Sequence, residues 1–158
     1  MNQRAVQVVG AAKGSLKSRF ITAILALPLV LLILWQGGLP FSAFIAIVCV
    51  IMGIEWINIL SEGDKFPQIF LSGLLALTAL ASHDGFGTGL GFYIFGILFS
   101  IGLSLLLGVK LSLLSGGFAY IGAATLSLIL LRNIDNGLWL VFFIFWVVWA
   151  TDVMAYVF

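Results

Sequence analysis

Apolar residues run along this chain in six long blocks, at 20–35, 39–60, 67–82, 90–109, 113–131 and 138–158, with short polar breaks between them. Each block is close to the roughly 17–25 residues that carry an α-helix across hydrocarbon about 30 Å thick. Strict alternation of apolar and polar positions is missing, so the blocks do not read as barrel strands. A backbone in lipid must satisfy its own polar groups, and a helix does so within one segment. The pattern therefore predicts an all-α fold, a polytopic membrane helix bundle of about six transmembrane helices. The breaks carry turn chemistry. Gln36-Gly37-Gly38 with Pro40 follows the first block, and Ser61-Glu62-Gly63-Asp64-Lys65 the second. A glycine-rich run from His83 to Gly89 follows the third, and Arg132 to Gly137 the fifth. Only Lys110, Ser112 and Ser115-Gly116-Gly117 divide the fourth block from the fifth.

Composition agrees with a lipid solvent. Hydrophobic residues make up 63% of the chain and charged residues 8%, with a mean hydropathy of +1.25. Soluble domains carry roughly 25% charged residues, so too few polar side chains exist here to face water. Cys49 is the only cysteine. It cannot form an internal disulfide or a cysteine metal cluster, and is expected to be a small packing residue. No repeat of fixed period appears. Glycines 96, 102, 108, 116, 117 and 122 are expected to permit close helix approach in the fourth and fifth spans.

The charges orient the bundle. Arg4, Lys13, Lys17 and Arg19 precede the first span. With the N-terminus cytoplasmic, Lys65 and Lys110 join them, and six of the seven basic residues lie inside, as the positive-inside rule requires. Residues 1–19 are then a basic cytoplasmic segment suited to an anionic lipid surface, and residues 20–158 the transmembrane region. The first span is longer than a signal-peptide core and lacks a small-x-small cleavage site, so it is expected to stay as an anchor. Six crossings place Phe158 at the cytoplasmic face.

Two carboxylates lie within the spans. Asp152 sits in the sixth, where a charge at bilayer depth costs at least ~2.5 kcal/mol, and Glu55 lies in the second. Both spans run from outside to inside, and each acid is about a turn and a half from the inner end of its helix. Glu55, Asn58 and Glu62 share one helix face, as do Trp149, Asp152 and Tyr156. Equal depth suggests one polar pocket opening to the cytoplasm, suited to a lipid headgroup or a metal-bound phosphate. Plainer readings stand beside this one. Glu55 can snorkel toward headgroups or pair with a lysine, and Asp152 can form a structural ion pair. Trp35, Trp56 and Trp139 are expected to be interfacial anchors.

Other features carry less chemistry. The run Asp84-Gly85-Phe86-Gly87-Thr88-Gly89-Leu90-Gly91 lacks the lysine and strand-to-helix setting of a phosphate loop, and is expected to be a flexible turn. His83 is expected to be a solvated loop histidine, with Arg132 and Asp135 as headgroup-facing charges. No nucleophile triad is complete, and no basic face interleaved with aromatics argues for nucleic acid.

Three stretches together resemble the N-terminal part of bacterial phosphatidate cytidylyltransferases (CDP-diacylglycerol synthases). The entry Leu16-Lys17-Ser18-Arg19-Phe20-Ile21-Thr22-Ala23 leads to Pro28 and then Trp35-Gln36-Gly37-Gly38. The second span ends in Glu55-Trp56. The sixth contains Trp149-Ala150-Thr151-Asp152-Val153-Met154-Ala155-Tyr156, similar to that family's W-x-x-D-x-x-A-Y pattern. The family's following Ser-Pro-Lys-Lys-Thr segment and its Pro-Gly-His-Gly-Gly run before Asp-Arg-x-Asp are absent. The resemblance therefore implies an incomplete chain lacking the C-terminal catalytic part. It implies transfer of a cytidylyl group from CTP to phosphatidate, giving CDP-diacylglycerol and pyrophosphate in phospholipid biosynthesis, with Mg²⁺ required. By motif position Asp152 would be the catalytic and metal-facing residue, with Glu55, Asn58 and Tyr156 as substrate contacts. The partners implied are CTP, phosphatidate and membrane lipids, with a homodimer compatible. The location implied is the cell inner membrane, multi-pass, with the active face cytoplasmic.

Two other classes use the same carboxylates. A transporter or channel would employ Glu55 and Asp152 as ion sites, although both lie near one end of their helices rather than at the midplane. A non-catalytic membrane scaffold would not need them. Since the signature lysines and aspartates are missing, the purified 158-residue chain is expected to form no CDP-diacylglycerol from CTP, phosphatidate and Mg²⁺. Formation of that product by the chain alone would overturn the expectation.

Overall fold

The computed structural model of the protein describes residues 27–60, 65–108 and 110–157, with side chains described as far as Ala155. The basic segment 1–19, the start of the first span, the break at 61–64 (which holds Glu62) and the Tyr156 side chain lie outside the described residues. The chain divides after Trp35 into two compact units. The first reaches helix α1 (Leu27–Gln36), a short apolar helix with Leu29, Leu32 and Trp35 exposed.

The second unit holds α2 (Gly38–Leu60), α3 (Lys65–Ala81), a 3₁₀ turn (Ser82–Asp84), α4 (Phe86–Leu107), a π-helical turn (Ser112–Gly116), α5 (Gly117–Asn133) and α6 (Gly137–Val157). No strand occurs among the described residues. Among the described residues, five stretches are long and apolar enough to cross a membrane: Gly38–Leu60, Lys65–Asp84, Phe86–Leu107, Ser112–Asn133 and Gly137–Ala155. The architecture is the all-α membrane helix bundle expected from the apolar blocks. Pro67 is accommodated in the first turn of α3, where its missing N–H breaks no helical bond. Gly108 ends α4 in a left-handed conformation, φ 65°, which a glycine adopts without steric penalty.

One boundary differs from expectation. The glycine-rich run after His83 is not a flexible turn. The reversal is confined to Ser82–Gly85, and Phe86 to Gly91 form the first turns of α4. Helix wins because Gly89 is buried against Ser82 and Leu126, and because backbone left unpaired in lipid is costly.

Neighbouring contacts fix the helix directions. Asn58 meets Gln68, and Gly53 faces Ser72, so α2 and α3 are antiparallel. Gly89 faces Leu126 and Gly96 faces Phe118, so α4 and α5 are antiparallel. Cys49 meets Thr125 and Trp56 meets Gly117, so α2 and α5 are antiparallel too. Helix α5 lies among α2, α3 and α4. Its Phe118, Ile121 and Ile129 form the core with Phe41, Ile45 and Ile57 of α2 and Leu71, Leu75 and Ala79 of α3.

Helices in lipid gain little from apolar burial against one another, so close packing and hydrogen bonds hold them. Small residues supply the close packing here. A Cβ added at Gly53 would lie 2.7 Å from Ser72 Oγ, and one at Gly122 would lie 3.0 Å from the Tyr93 ring. One added at Gly96 would run into the Phe118 ring. Of the glycines expected to act in packing, Gly96, Gly117 and Gly122 do so, whereas Gly102 faces open space.

Polar atoms are satisfied across the same seams. Ser72 Oγ donates to Val50 O at 3.1 Å and Tyr93 Oη to Ala119 O at 2.9 Å. Cys49 is 1% exposed, with Sγ 2.9 Å from Thr125 Oγ1. The threonine hydroxyl spends its one proton on Ile121 O at 2.8 Å, so the thiol is the donor between them. Cys49 is thus a packing residue, as its sequence context suggests. We expect Gly96→Ala to lower unfolding stability by about 1–3 kcal/mol, the usual range for overpacking, in thermal melts of the detergent-solubilised protein. Gly91→Ala, which meets nothing within 4 Å, is expected to leave the melt unchanged or raise it.

Candidate functional site

The polar residues singled out from the sequence collect toward the C-terminal ends of α2 and α6. Both helices run antiparallel to α5. For α2 the contacts above require it, and for α6 a tight turn at 134–136 returns the chain beside α5. In that turn Asn136 is left-handed at φ 60°, and Gly137 N–H donates to Ile134 O at 2.9 Å. Helices α2 and α6 are therefore parallel. Glu55 and Asp152 each lie five residues before the end of their helix, or about 7.5 Å along it. The spacing to the helix end is thus the same in both, as expected from the sequence.

The shared enclosed pocket expected from the sequence does not form among the described residues. Both Glu55 and Asp152 are exposed. Helix α6 packs on α5 through its first turns, where Val141 is fully buried, and every residue from Phe142 to Ala155 is exposed. Thr151 Oγ1 turns back to Val147 O at 2.8 Å, leaving Asp152 as the ionisable group of that stretch. Trp149, one turn before it, is 53% exposed and packs edge-on against Trp146 with centroids 6.0 Å apart. The carboxylate thus stands on an aromatic, apolar surface that no other described helix covers. The physical reason is that α6 has contact with the bundle only near the hairpin turn.

On α2, Asn58 is engaged rather than free. Gln68 Nε2 donates to Asn58 Oδ1 at 2.5 Å, joining α2 to α3 at this end. Sequence reasoning missed Gln68. Its signal is a lone amide three residues after Lys65 in an otherwise apolar helix.

Trp56 is the main revision. It is not an interfacial anchor. Its Nε1 donates to Leu113 O at 3.0 Å, and its ring stacks on Tyr120 with centroids 6.1 Å apart. A Cβ at Gly117 would lie 2.5 Å from that indole nitrogen, so the ring occupies the notch that glycine leaves. The pair Gly116-Gly117, taken from sequence as part of a helix break, instead continues the π turn into α5. At the opposite end of the bundle, a Cβ at Gly37 would lie 2.6 Å from the Arg132 guanidinium, and His83 Nδ1 is buried without a hydrogen-bond partner. His83 is therefore half-buried rather than a solvated loop side chain.

Among the described residues no three of His, Cys, Asp and Glu come together as a metal site. A cation that takes most of its ligands from water and phosphate needs only one or two carboxylates. The end of the bundle bearing Glu55 and Asp152 also carries Lys65 and Lys110, both exposed, on the links beside α3 and α5. The chemistry on offer at this end is thus two exposed carboxylates with lysines at the nearby chain reversals.

Comparison with known proteins bears on this arrangement. The model of the cytidylyltransferase family matches residues 17–158. A phosphatidate cytidylyltransferase of Brucella abortus (strain 9-941) is 30% identical over 151 residues, covering 90% of this chain and 54% of the relative. Phosphatidate cytidylyltransferases of Brucella suis biovar 1 and Brucella melitensis biotype 1 match to the same extent. The chain spans about half the length of the curated relatives it matches. No solved structure matches it. If the carboxylates form one polar layer, spin labels at Glu55→Cys and Asp152→Cys, in a Cys49→Ala background, are expected to report immersion depths within about 5 Å, one helical turn. Depths two turns apart would exclude that layer.

Proposed function

This chain belongs to the cytidylyltransferase family, and we propose that it serves in transfer of a cytidylyl group from CTP to phosphatidate. In that reaction a phosphate oxygen of phosphatidate attacks the α-phosphorus of CTP. The bond to the β-phosphate breaks, and pyrophosphate leaves as CDP-diacylglycerol forms. The observation that carries the reading is the family match, which runs through α6 and includes Asp152 within its W-x-x-D-x-x-A-Y stretch. Family membership favours it over the transporter and scaffold readings.

Phosphoryl and nucleotidyl transfer rely mainly on positioning and charge neutralisation. We assign Asp152 to the wall of the nucleotide cavity, where it would hold Mg²⁺ together with substrate phosphates and water. The ion, when bound, neutralises triphosphate charge and polarises the reacting phosphorus–oxygen bonds. Glu55 and Asn58, at the same end of α2, would contact the lipid substrate near its headgroup, and Tyr156 would flank Asp152 one turn further on. The Asn58–Gln68 hydrogen bond would hold that amide in place. Such a site requires the N-terminus and the Lys65 and Lys110 links on the cytoplasmic side of the inner membrane, where CTP is available.

The test uses the intact protein in membranes, with CTP-dependent CDP-diacylglycerol formation as the readout. Asp152→Asn is expected to lower the rate by about a hundredfold, the upper end of what losing a carboxylate beside a metal costs, with unchanged protein abundance. A rate within a factor of two of the unsubstituted protein would remove Asp152 from the site.

A further inference from the structure

The π turn at Ser112–Gly116 and the indole lodged against it form a unit that the reaction above does not use. π-Helical turns are rare and frequently sit at functional sites. Here side chains donate to two backbone carbonyls at the turn. Trp56 Nε1 donates to Leu113 O at 3.0 Å, and Ser115 Oγ donates to Leu111 O. The indole can reach Leu113 only because Gly117 lacks a side chain, and Tyr120 closes over the ring from the next turn of α5. Helix α4 also packs against the same turn. The π winding is thus contacted by both α2 and α4.

We propose that Trp56 is a latch that holds Ser112–Gly116 in the π winding, and that releasing it lets this turn rewind as α-helix. Rewinding by one residue rotates whatever precedes the turn by about 100° around the helix axis. The part that rotates contains Leu111 and Lys110, on the short link from α4. Trp56 directly follows Glu55 on α2. A shift at the acidic end of α2 and a swing of the Lys110 side chain are therefore one event. The device couples a carboxylate-bearing helix to a lysine-bearing link at the same end of the bundle. It stands on the hydrogen bond, the glycine notch and the π turn, and does not require the proposed reaction.

Two variants of the intact membrane-embedded protein test it. Trp56→Phe keeps an aromatic ring and removes the N–H. Gly117→Ala keeps the indole and fills its notch. Hydrogen exchange followed by mass spectrometry is expected to show at least tenfold faster exchange in the segment 112–117 in both, with α3 and the body of α4 unchanged. Spin labels at Lys65→Cys and Lys110→Cys, with Cys49→Ala, are expected to shift their separation when Trp56→Phe is added. Exchange within twofold of the unsubstituted protein in both variants would overturn the latch. So would a loss of protection spread evenly over all helices, because Trp56 would then be an ordinary packing residue.

Discussion

The bundle depends on how closely α2 and α4 can approach α5. Lipid rewards apolar contact between helices no more than lipid contact itself, so attraction must come from short-range packing and from polar groups satisfied across the seams. Gly96 of α4 accepts the Phe118 ring, Gly122 of α5 accepts Tyr93, and Gly117 accepts Trp56. Each is a place where a side chain of one helix meets the bare backbone of another. Once the helices are that close, weak donors such as the Cys49 thiol find partners without water. Remove the small residues and the hydrogen bonds lose their geometry as well.

The same closeness organises the polar end of the molecule. Trp56 faces inward, toward Leu113 and Gly117, so its neighbour Glu55 is turned to the exposed surface. Asn58, one turn on, is braced by Gln68 from α3. The placement of the acidic face is therefore a by-product of where an indole fits. Asp152 is placed by a different route, through the hairpin that joins α5 to α6. Two unrelated pieces of packing position the two carboxylates, each five residues from the end of its helix.

Much of this was legible in the order of residues. Blocks of apolar side chains predict helices because lipid leaves the backbone no other partner, and the five membrane-length helices begin and end within a few residues of those blocks. A charge inside an apolar run marks Asp152 without any coordinates. What could not be read was long-range. Phe86 to Gly91 look like a turn by composition, yet become helix because Gly89 packs on Ser82 and Leu126. Trp56 looks like an interfacial anchor, and becomes a half-buried interhelical contact because a glycine sixty-one positions away makes room. Gln68 gains meaning only when α3 folds back on α2. Glycine and tryptophan report their role poorly from sequence, because their partner decides it.

The hairpin before α6 has a mechanical consequence. Gly137 sits so close to the Leu131 and Arg132 carbonyls that no side chain fits there, and Asn136 holds a left-handed backbone beside it. Past Val141 nothing else among the described residues steadies the helix. Asp152 lies fifteen residues beyond Gly137, about 22 Å away at the helical rise. The helix is a lever with its fulcrum in the five residues 137–141. A tilt of about 10° at that fulcrum carries the carboxylate about 4 Å sideways, so the aim of the one acid in the last span is decided at the far side of the membrane.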